Sequence, residues 1–371
     1  MTQITLKQKI MLLFMGAVLA GASTLYAQEF KARVMAQGLN HPWSMAFLPD
    51  GSMLVTERPG TLRLINKAFS GDTLIKGLPS IRATGQGGLL DIAIHPHYQD
   101  NGWIYFSYSG PDQRDFSTEV GRARLQGDTL VDWQTLFKLM PRSSTGFHFG
   151  SRLVFDRQGY LYITLGDRGE RYRSQKLDDH AGSVIRLHDD GRIPEDNPFT
   201  GQKDTRTEIY SFGHRNLQGA ALHPESGQLW THEHGPQGGD ELNIIQAGAN
   251  YGWPVISYGE EYGTDIPVGE GTHGPGMQQP LYYWVPSIAP SGMAFYTGDK
   301  FPQWQGNLFI GSLKFRLLVR LELEGDRVIK EERLLEGELG RIRDVRSGPD
   351  GYLYLLTDAT NGKLVRLEPA N

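Results

Sequence analysis

The chain contains no cysteine. That removes disulfides, thiolate zinc sites, iron–sulfur clusters and cysteine nucleophiles from consideration. There is no basic excess either: Lys and Arg number 37 against 42 Asp and Glu, a formal net charge of -5. A nucleic-acid binder would carry a basic field, and this sequence has none. Pro- or Ser-rich linkers are also missing, so nothing marks a boundary between domains. Long apolar runs are confined to Ile10–Ala22. That run follows Lys7 and Lys9 and leads into Ser23-Thr24-Leu25-Tyr26-Ala27, the layout of a secretory signal peptide cut after a small residue. It is shorter than the ~20 residues a membrane-spanning helix needs. The sequence thus predicts a signal peptide over residues 1–27 and one domain over 28–371. It also predicts a periplasmic location, with no membrane insertion once the signal is removed.

What the chain has in quantity is glycine, 46 residues, and aromatics at 11%. Both suit many short strands joined by tight turns. One unit recurs: a turn containing Gly, then alternating apolar and aromatic residues. Its copies are Pro49-Asp50-Gly51-Ser52-Met53-Leu54-Val55, Asp100-Asn101-Gly102-Trp103-Ile104-Tyr105-Phe106 and Arg157-Gln158-Gly159-Tyr160-Leu161-Tyr162-Ile163. Glu225-Ser226-Gly227-Gln228-Leu229-Trp230, Trp304-Gln305-Gly306-Asn307-Leu308-Phe309-Ile310 and Pro349-Asp350-Gly351-Tyr352-Leu353-Tyr354-Leu355 follow. Gly takes the positive φ of the turn at little cost, and the period of two gives each strand a face for a core. The turn glycines recur at intervals from 45 to 79 residues, so blades of ~40–50 residues with insertions in the middle fit them. Six units, none able to bury its own faces, predict an all-β, six-bladed β-propeller. The segment around Phe30–Gln37 is expected to pair with the last blade and close the ring.

A propeller gathers loops from every blade at one end of its axis, and the polar clusters are spread accordingly. Gly85-Gln86-Gly87-Gly88 permits close approach to backbone, and Gln86 offers a donor and an acceptor. Thr145-Gly146-Phe147-His148-Phe149-Gly150 presents a histidine, the natural general base near neutral pH, although a lone histidine is more often structural. Asp167, in Gly166-Asp167-Arg168-Gly169, could orient His148 or simply make a turn. Arg215 and Asn216 offer a two-point carboxylate contact and an amide. In Thr231-His232-Glu233-His234-Gly235-Pro236, two histidines on one strand face make zinc conceivable, but no third ligand is nearby. The Gly-Pro carbonyls and the Asp240-Glu241 pair suit calcium better. Arg341 and Arg343, two apart on an extended segment, share a face. With Lys314 and Arg215 they would form a cationic ring, suited to a small polyanion.

In this order the clusters resemble the soluble PQQ-dependent sugar dehydrogenases, over nearly the whole mature chain from Leu39-Asn40-His41-Pro42-Trp43 to the last blade. The marks are Gly85–Asp91, His148-Phe149-Gly150-Ser151-Arg152-Leu153, Arg215-Asn216, Glu233-His234-Gly235-Pro236, Lys314 and Arg341-Ile342-Arg343-Asp344-Val345. The resemblance implies an aldose sugar as substrate, oxidised at the anomeric carbon to a lactone, with pyrroloquinoline quinone (PQQ) and calcium as cofactors. It implies His148 as the base and Asp167 as its orienting carboxylate. Gln86, Arg215, Asn216, Tyr262, Lys314, Arg341 and Arg343 match positions that hold the cofactor. The carbonyls of Gly235 and Pro236 match ligands of a calcium ion shared with it, and Glu241 with the Tyr251 backbone matches a second calcium site. His214 and His234 depart from the family's pattern. The extra loops of the glucose-specialised members are missing, which favours a broad aldose range and a monomer. The electron acceptor is left unidentified. Two rival readings remain: a calcium-dependent lactonase, which has no need of Lys314, Arg341 and Arg343, and a non-catalytic sugar-binding propeller, which leaves His148 and Asp167 without a task.

Overall fold

Each Gly turn of the repeat closes a β-hairpin. In the first, Gly51 takes φ 85°, the Ser52 N–H caps Asp50 Oδ1 at 2.9 Å, and strands Pro42–Phe47 and Met53–Glu57 run antiparallel on either side. Thr61–Ile65 and Asp72–Ile75 complete a four-stranded sheet in sequence order. The computed structural model, which describes residues 30–110 and 115–370, contains six such sheets. Their innermost strands are Pro42–Phe47, Leu89–Ile94, Leu153–Phe155, Leu217–Leu222, Pro290–Phe295 and Ile342–Ser347. Each meets the next, and the last returns to the first. This is the six-bladed propeller that the repeat predicts. Strand Phe30–Leu39 pairs with Gly362–Pro369, from Phe30 opposite Pro369 to Leu39 opposite Gly362, so the start of the described chain closes the last blade. The predicted signal peptide lies outside the described residues.

The core lies between blades rather than within them. Strand Trp103–Ser109 is buried along its whole length because both of its faces are covered. Tyr105, Leu161, Ile163 and Ile185 pack between the second and third blades, and Phe309, Leu353, Leu355 and Val365 between the fifth and sixth. Each such side chain contributes ~1.5–3 kcal/mol on burial, and only a neighbouring blade supplies the cover. No helix among the described residues is long and apolar enough to cross a membrane.

Where the innermost strands converge, two cations and two carboxylates meet, all of them buried except the partly exposed Arg346. Arg152 lies 3.2 Å from Asp91 and 2.8 Å from Asp344, and Arg346 reaches the same pair at 2.8 and 3.0 Å. Ser44 Oγ donates to Asp91 Oδ1 at 2.5 Å, and the Leu153 N–H donates to Asp91 Oδ2 at 2.7 Å. Buried charges survive only when paired and hydrogen-bonded, so this cluster binds blades one, two, three and six at the axis. Asp91, Arg152 and Asp344 all belong to the motifs that carried the family resemblance, and their place is this structural plug.

Bulges position the site. The pairing of innermost and second strands shifts register between Pro42 and Ser44, Leu89 and Ile92, Leu217 and Gly219, Pro290 and Met293, and Ile342 and Asp344. A bulge inserts an unpaired residue and re-aims its side chain. Trp43, Leu90, Gln218 and Arg343 occupy such positions, and all four line one cavity at this end of the axis.

Candidate active site

The cavity has a volume of ≈ 740 Å³. Its walls carry five cations (Arg58, Lys314, Arg316, Arg341 and Arg343) and one carboxylate, Asp358. Gln86, Asn216 and Gln218 add amides, and Trp43, Leu90 and Phe149 supply apolar surface. The cations are arranged rather than scattered. Arg341 Nη2 and Arg343 Nη2 reach Asp358 Oδ2 at 3.3 and 3.2 Å, while His41 Nδ1 lies 2.8 Å from Asp358 Oδ1. Burial opposes the charge of Asp358, but Arg343, His41 and Arg341 outweigh it and hold the carboxyl far below its ordinary range. Arg343 itself is pushed down, chiefly by burial and by the neighbouring Arg341. Lys314 and Arg316 are exposed and, among the described residues, belong to no ion pair. A site so provided with positive charge and amide donors is suited to a small, multiply anionic ligand.

His148 stands beside this cavity between Phe147 and the lining residue Phe149. Its backbone is in the left-handed region at φ 50°, where a non-glycine residue is strained. Three contacts hold it there. Its N–H donates to Gln86 Oε1 at 2.9 Å. Gly166 packs so closely on the His148 carbonyl that a Cβ would collide with it. Arg168, buried and stacked 3.6 Å over the Phe149 ring, donates to the carbonyls of Phe147 and Thr145. The ring then points Nδ1 at Asp167 Oδ1, 2.6 Å away. An ionised carboxylate only accepts, so Nδ1 carries the proton and Nε2 is left as the basic nitrogen. Burial pushes the imidazole below its ordinary value of 6.5, with Asp167 opposing and Arg215 adding to the shift. Burial alone would raise Asp167, but the hydrogen bond from His148, the charges of His148 and Arg215 and the Gly169 N–H hold it low. The pair is thus neutral imidazole against carboxylate near neutral pH, which is the state a general base requires.

Arg215 belongs to a second, smaller cavity of ≈ 10 Å³, which shares His234 with the first and is also lined by Glu233, Gly235, Glu241 and Tyr251. That is room for one small ion or water. Arg215 Nη1 donates to the carbonyls of His234 and Gly235 at 3.1 and 2.9 Å, and Nη2 reaches the Tyr262 hydroxyl at 3.4 Å. Its Nε is buried without a partner. Glu241 is pushed up by burial and by the charge of Glu233. Glu233 in turn holds His214 Nδ1 at 2.8 Å and the Arg215 N–H at 2.5 Å. Two mutually repelling carboxylates beside a small internal hollow are a donor set that a hard cation satisfies.

The residues singled out from the sequence therefore fall into three groups. Gln86, Asn216, Lys314, Arg341 and Arg343 line the large cavity, His148 and Asp167 pair beside it, and Arg215, Gly235, Glu241 and Tyr251 surround the small one. Pro236 packs against Gly259 next to the small cavity. Tyr262 joins it only through Arg215. The paired reading of Asp240 and Glu241 divides: the Asp240 carboxylate is consumed by Ser287 Oγ and by the N–H groups of Gly235, Ile288 and Ala289 at 2.7–3.0 Å. Asp240 shapes the Gly235-Pro236 turn, and Glu241 alone remains available for a cation.

Sequence reading missed Asp358, His41, Gln218 and Glu233. A signal existed for two of them. In four blades the second strand runs out into a carboxylate at the funnel: Glu57, Asp167, Glu233 and Asp358. Counted from the turn glycine, Glu57 and Glu233 share one offset, while Asp358 and Asp167 lie one and two residues further on.

The family model for glucose/sorbosone dehydrogenases matches residues 39–366. The aldose sugar dehydrogenase YliI of Escherichia coli is 46% identical over 96% of this chain and 98% of its own. The solved apo-form of the soluble aldose sugar dehydrogenase from Escherichia coli superposes with a TM-score of 0.89 at 47% identity, covering 92% of this chain and 100% of that one. The PQQ-bound aldose sugar dehydrogenase of Streptomyces coelicolor gives a TM-score of 0.76 at 29% identity, over 91% of this chain and 98% of that one.

Proposed function

The chain belongs to the glucose/sorbosone dehydrogenase family, and from that premise we propose that it is a PQQ- and calcium-dependent aldose sugar dehydrogenase, oxidising the anomeric carbon to a lactone. The observation that carries this reading is a carboxylate-oriented histidine held next to Gln86 and Phe149, two of the residues that line a cavity walled by five cations. A lactonase would have no use for that cationic wall, and a binding module would have no use for the strained His148.

The residues fit the cofactor. Lys314, Arg341 and Arg343 would take its carboxylates, with Gln86 and Asn216 as amide partners and Trp43 and Phe149 as apolar cover. The carbonyls of Gly235 and Pro236 would hold a calcium ion beside it, with Arg215 and Tyr262 nearby. Glu241 and the Tyr251 backbone would hold a second. When bound, the quinone accepts the hydride from the anomeric carbon and calcium polarises it as a Lewis acid. The chain's own part is proton transfer and orientation. His148 Nε2 removes the anomeric hydroxyl proton, and Asp167 stabilises the imidazolium that results. An external acceptor would take the electrons from the reduced cofactor. The N-terminal signal layout supports export to the periplasm.

Reconstitution tests the proposal. Purified protein is supplied with PQQ and calcium, and dye reduction is followed with a panel of aldoses. Activity should require both additions and be lost in His148→Ala. Absence of activity together with absence of PQQ binding would refute it.

A further inference from the structure

Trp253 lies under the site and touches both of its halves. Its indole Nε1–H donates to Asp167 Oδ2 at 2.8 Å, and its ring faces the guanidinium groups of Arg215 and Arg171 at 5.3 and 5.7 Å. The residue is buried, and its backbone is held on both sides. The Trp253 N–H donates to the Gly213 carbonyl at 2.9 Å, and its own carbonyl accepts from Ser174 Oγ and Gln175 Nε2, both at 2.7 Å. An indole anchored in this way cannot drift with the carboxylate it serves.

The Asp167 carboxylate divides its donors unequally. Oδ1 takes the His148 Nδ1–H and the Gly169 N–H, the latter at 2.7 Å. Oδ2 takes Trp253. The Gly169 contact keeps Oδ1 aligned with the imidazole, so the indole is free to act on charge: a buried donor on one oxygen weakens the other as an acceptor. We propose that Trp253 is a positioning residue that acts through Asp167, drawing charge onto Oδ2 and so lowering the proton affinity of His148. The proposal rests on the reading of His148 as the base. It explains why a tryptophan, with a donor and no acceptor, stands behind the carboxylate. The charged and titratable groups around the pair are Arg168, Arg171, Arg215 and His234, and because Arg171 and Arg215 face the Trp253 ring, the test substitution must keep a ring there.

The test is Trp253→Phe, which keeps a ring and removes the N–H. Histidine titration by NMR in purified, cofactor-free protein, with the His148 signal assigned from His148→Gln, reads the effect without turnover. The His148 titration should move up by about half a unit to one unit, the size expected when a charge-assisted hydrogen bond to its partner is lost. The shift should vanish in an Asp167→Asn background, because Trp253 then has no carboxylate through which to act. The acid limb of the kcat/KM profile should move up in parallel. An unchanged or lowered titration in Trp253→Phe, or a shift that persists with Asp167→Asn, overturns the proposal. Should Trp253→Phe fail to fold, benzothienylalanine at position 253, which replaces only the N–H by sulfur, decides the same question. Failure of the wild-type protein to oxidise any aldose would instead refute the functional reading, and the titration result would stand apart from it.

Discussion

Asp167→Asn is the sharpest probe of the catalytic pair. The carboxylate is 1% exposed and lies 2.6 Å from His148 Nδ1, so the bond is short, charge-assisted and hidden from solvent. Such bonds contribute ~1.5–3 kcal/mol. Asparagine keeps the shape but removes the charge that stabilises the imidazolium. At ~1.4 kcal/mol per unit, the His148 titration should fall by about one to two units. The sign follows from the role. A base works when neutral, so wild-type activity is lost as pH falls through a value already held below 6.5 by burial. In Asp167→Asn that acid limb moves lower still. The plateau falls as well, because a weaker base in a less certain tautomer takes the proton poorly; general-base catalysis is worth ~10²–10⁴-fold, and most of it should go. PQQ affinity should change little, since Asp167 does not line the large cavity. The assay is kcat/KM by dye reduction from about pH 5 to 9, beside PQQ binding by fluorescence quenching. A variant with an unmoved acid limb and an undiminished plateau would show that Asp167 is only a turn residue.

Three further outcomes are expected. Arg343→Ala should weaken PQQ binding by about 10-fold or more, the loss of one charge-assisted contact, and titration calorimetry measures it; Arg343→Lys should restore only part, lacking the planar fork. Calcium should raise the melting temperature of wild type, a linkage effect worth ~2.7 kcal/mol at one hundred times Kd, and Glu241→Gln should abolish most of that rise, read by calorimetry with and without chelator. Asp91→Asn, which strips a partner from both Arg152 and Arg346 in the axial plug, should destabilise the fold by ~3–5 kcal/mol in urea unfolding, and a loss below 1 kcal/mol would show that the cluster is not a structural tie.

The repeat made the architecture legible. Gly51, Gly159, Gly227 and Gly351 each mark a hairpin with positive φ, and the alternation after them is local chemistry that any reader of the chain can see. The site was legible in part. His148, Asp167 and the cations at 314, 341 and 343 stood out through residue type and spacing, a histidine among glycines and two arginines two apart on an extended segment in an acidic chain. Asp358 and His41 did not, because their meaning comes from residues far away in sequence: His41 Nδ1 meets Asp358 Oδ1 only when the last blade closes on the first.

By itself the sequence determined the blade count, the hairpin turns, the ring closure by the segment around Phe30–Gln37 and the kinds of side chain gathered at the funnel. These follow from period, turn propensity and charge, which are properties of short segments. Tertiary structure alone decided which of those side chains meet. It spent Asp240 on four backbone and hydroxyl donors, sent Asp91, Arg152 and Asp344 to the axial plug, and turned Trp43, Leu90, Gln218 and Arg343 inward at bulges. It also set Trp253 behind Asp167. The physical reason is that a hydrogen bond or ion pair depends on distances of about 3 Å, and those are fixed only after all six blades have packed.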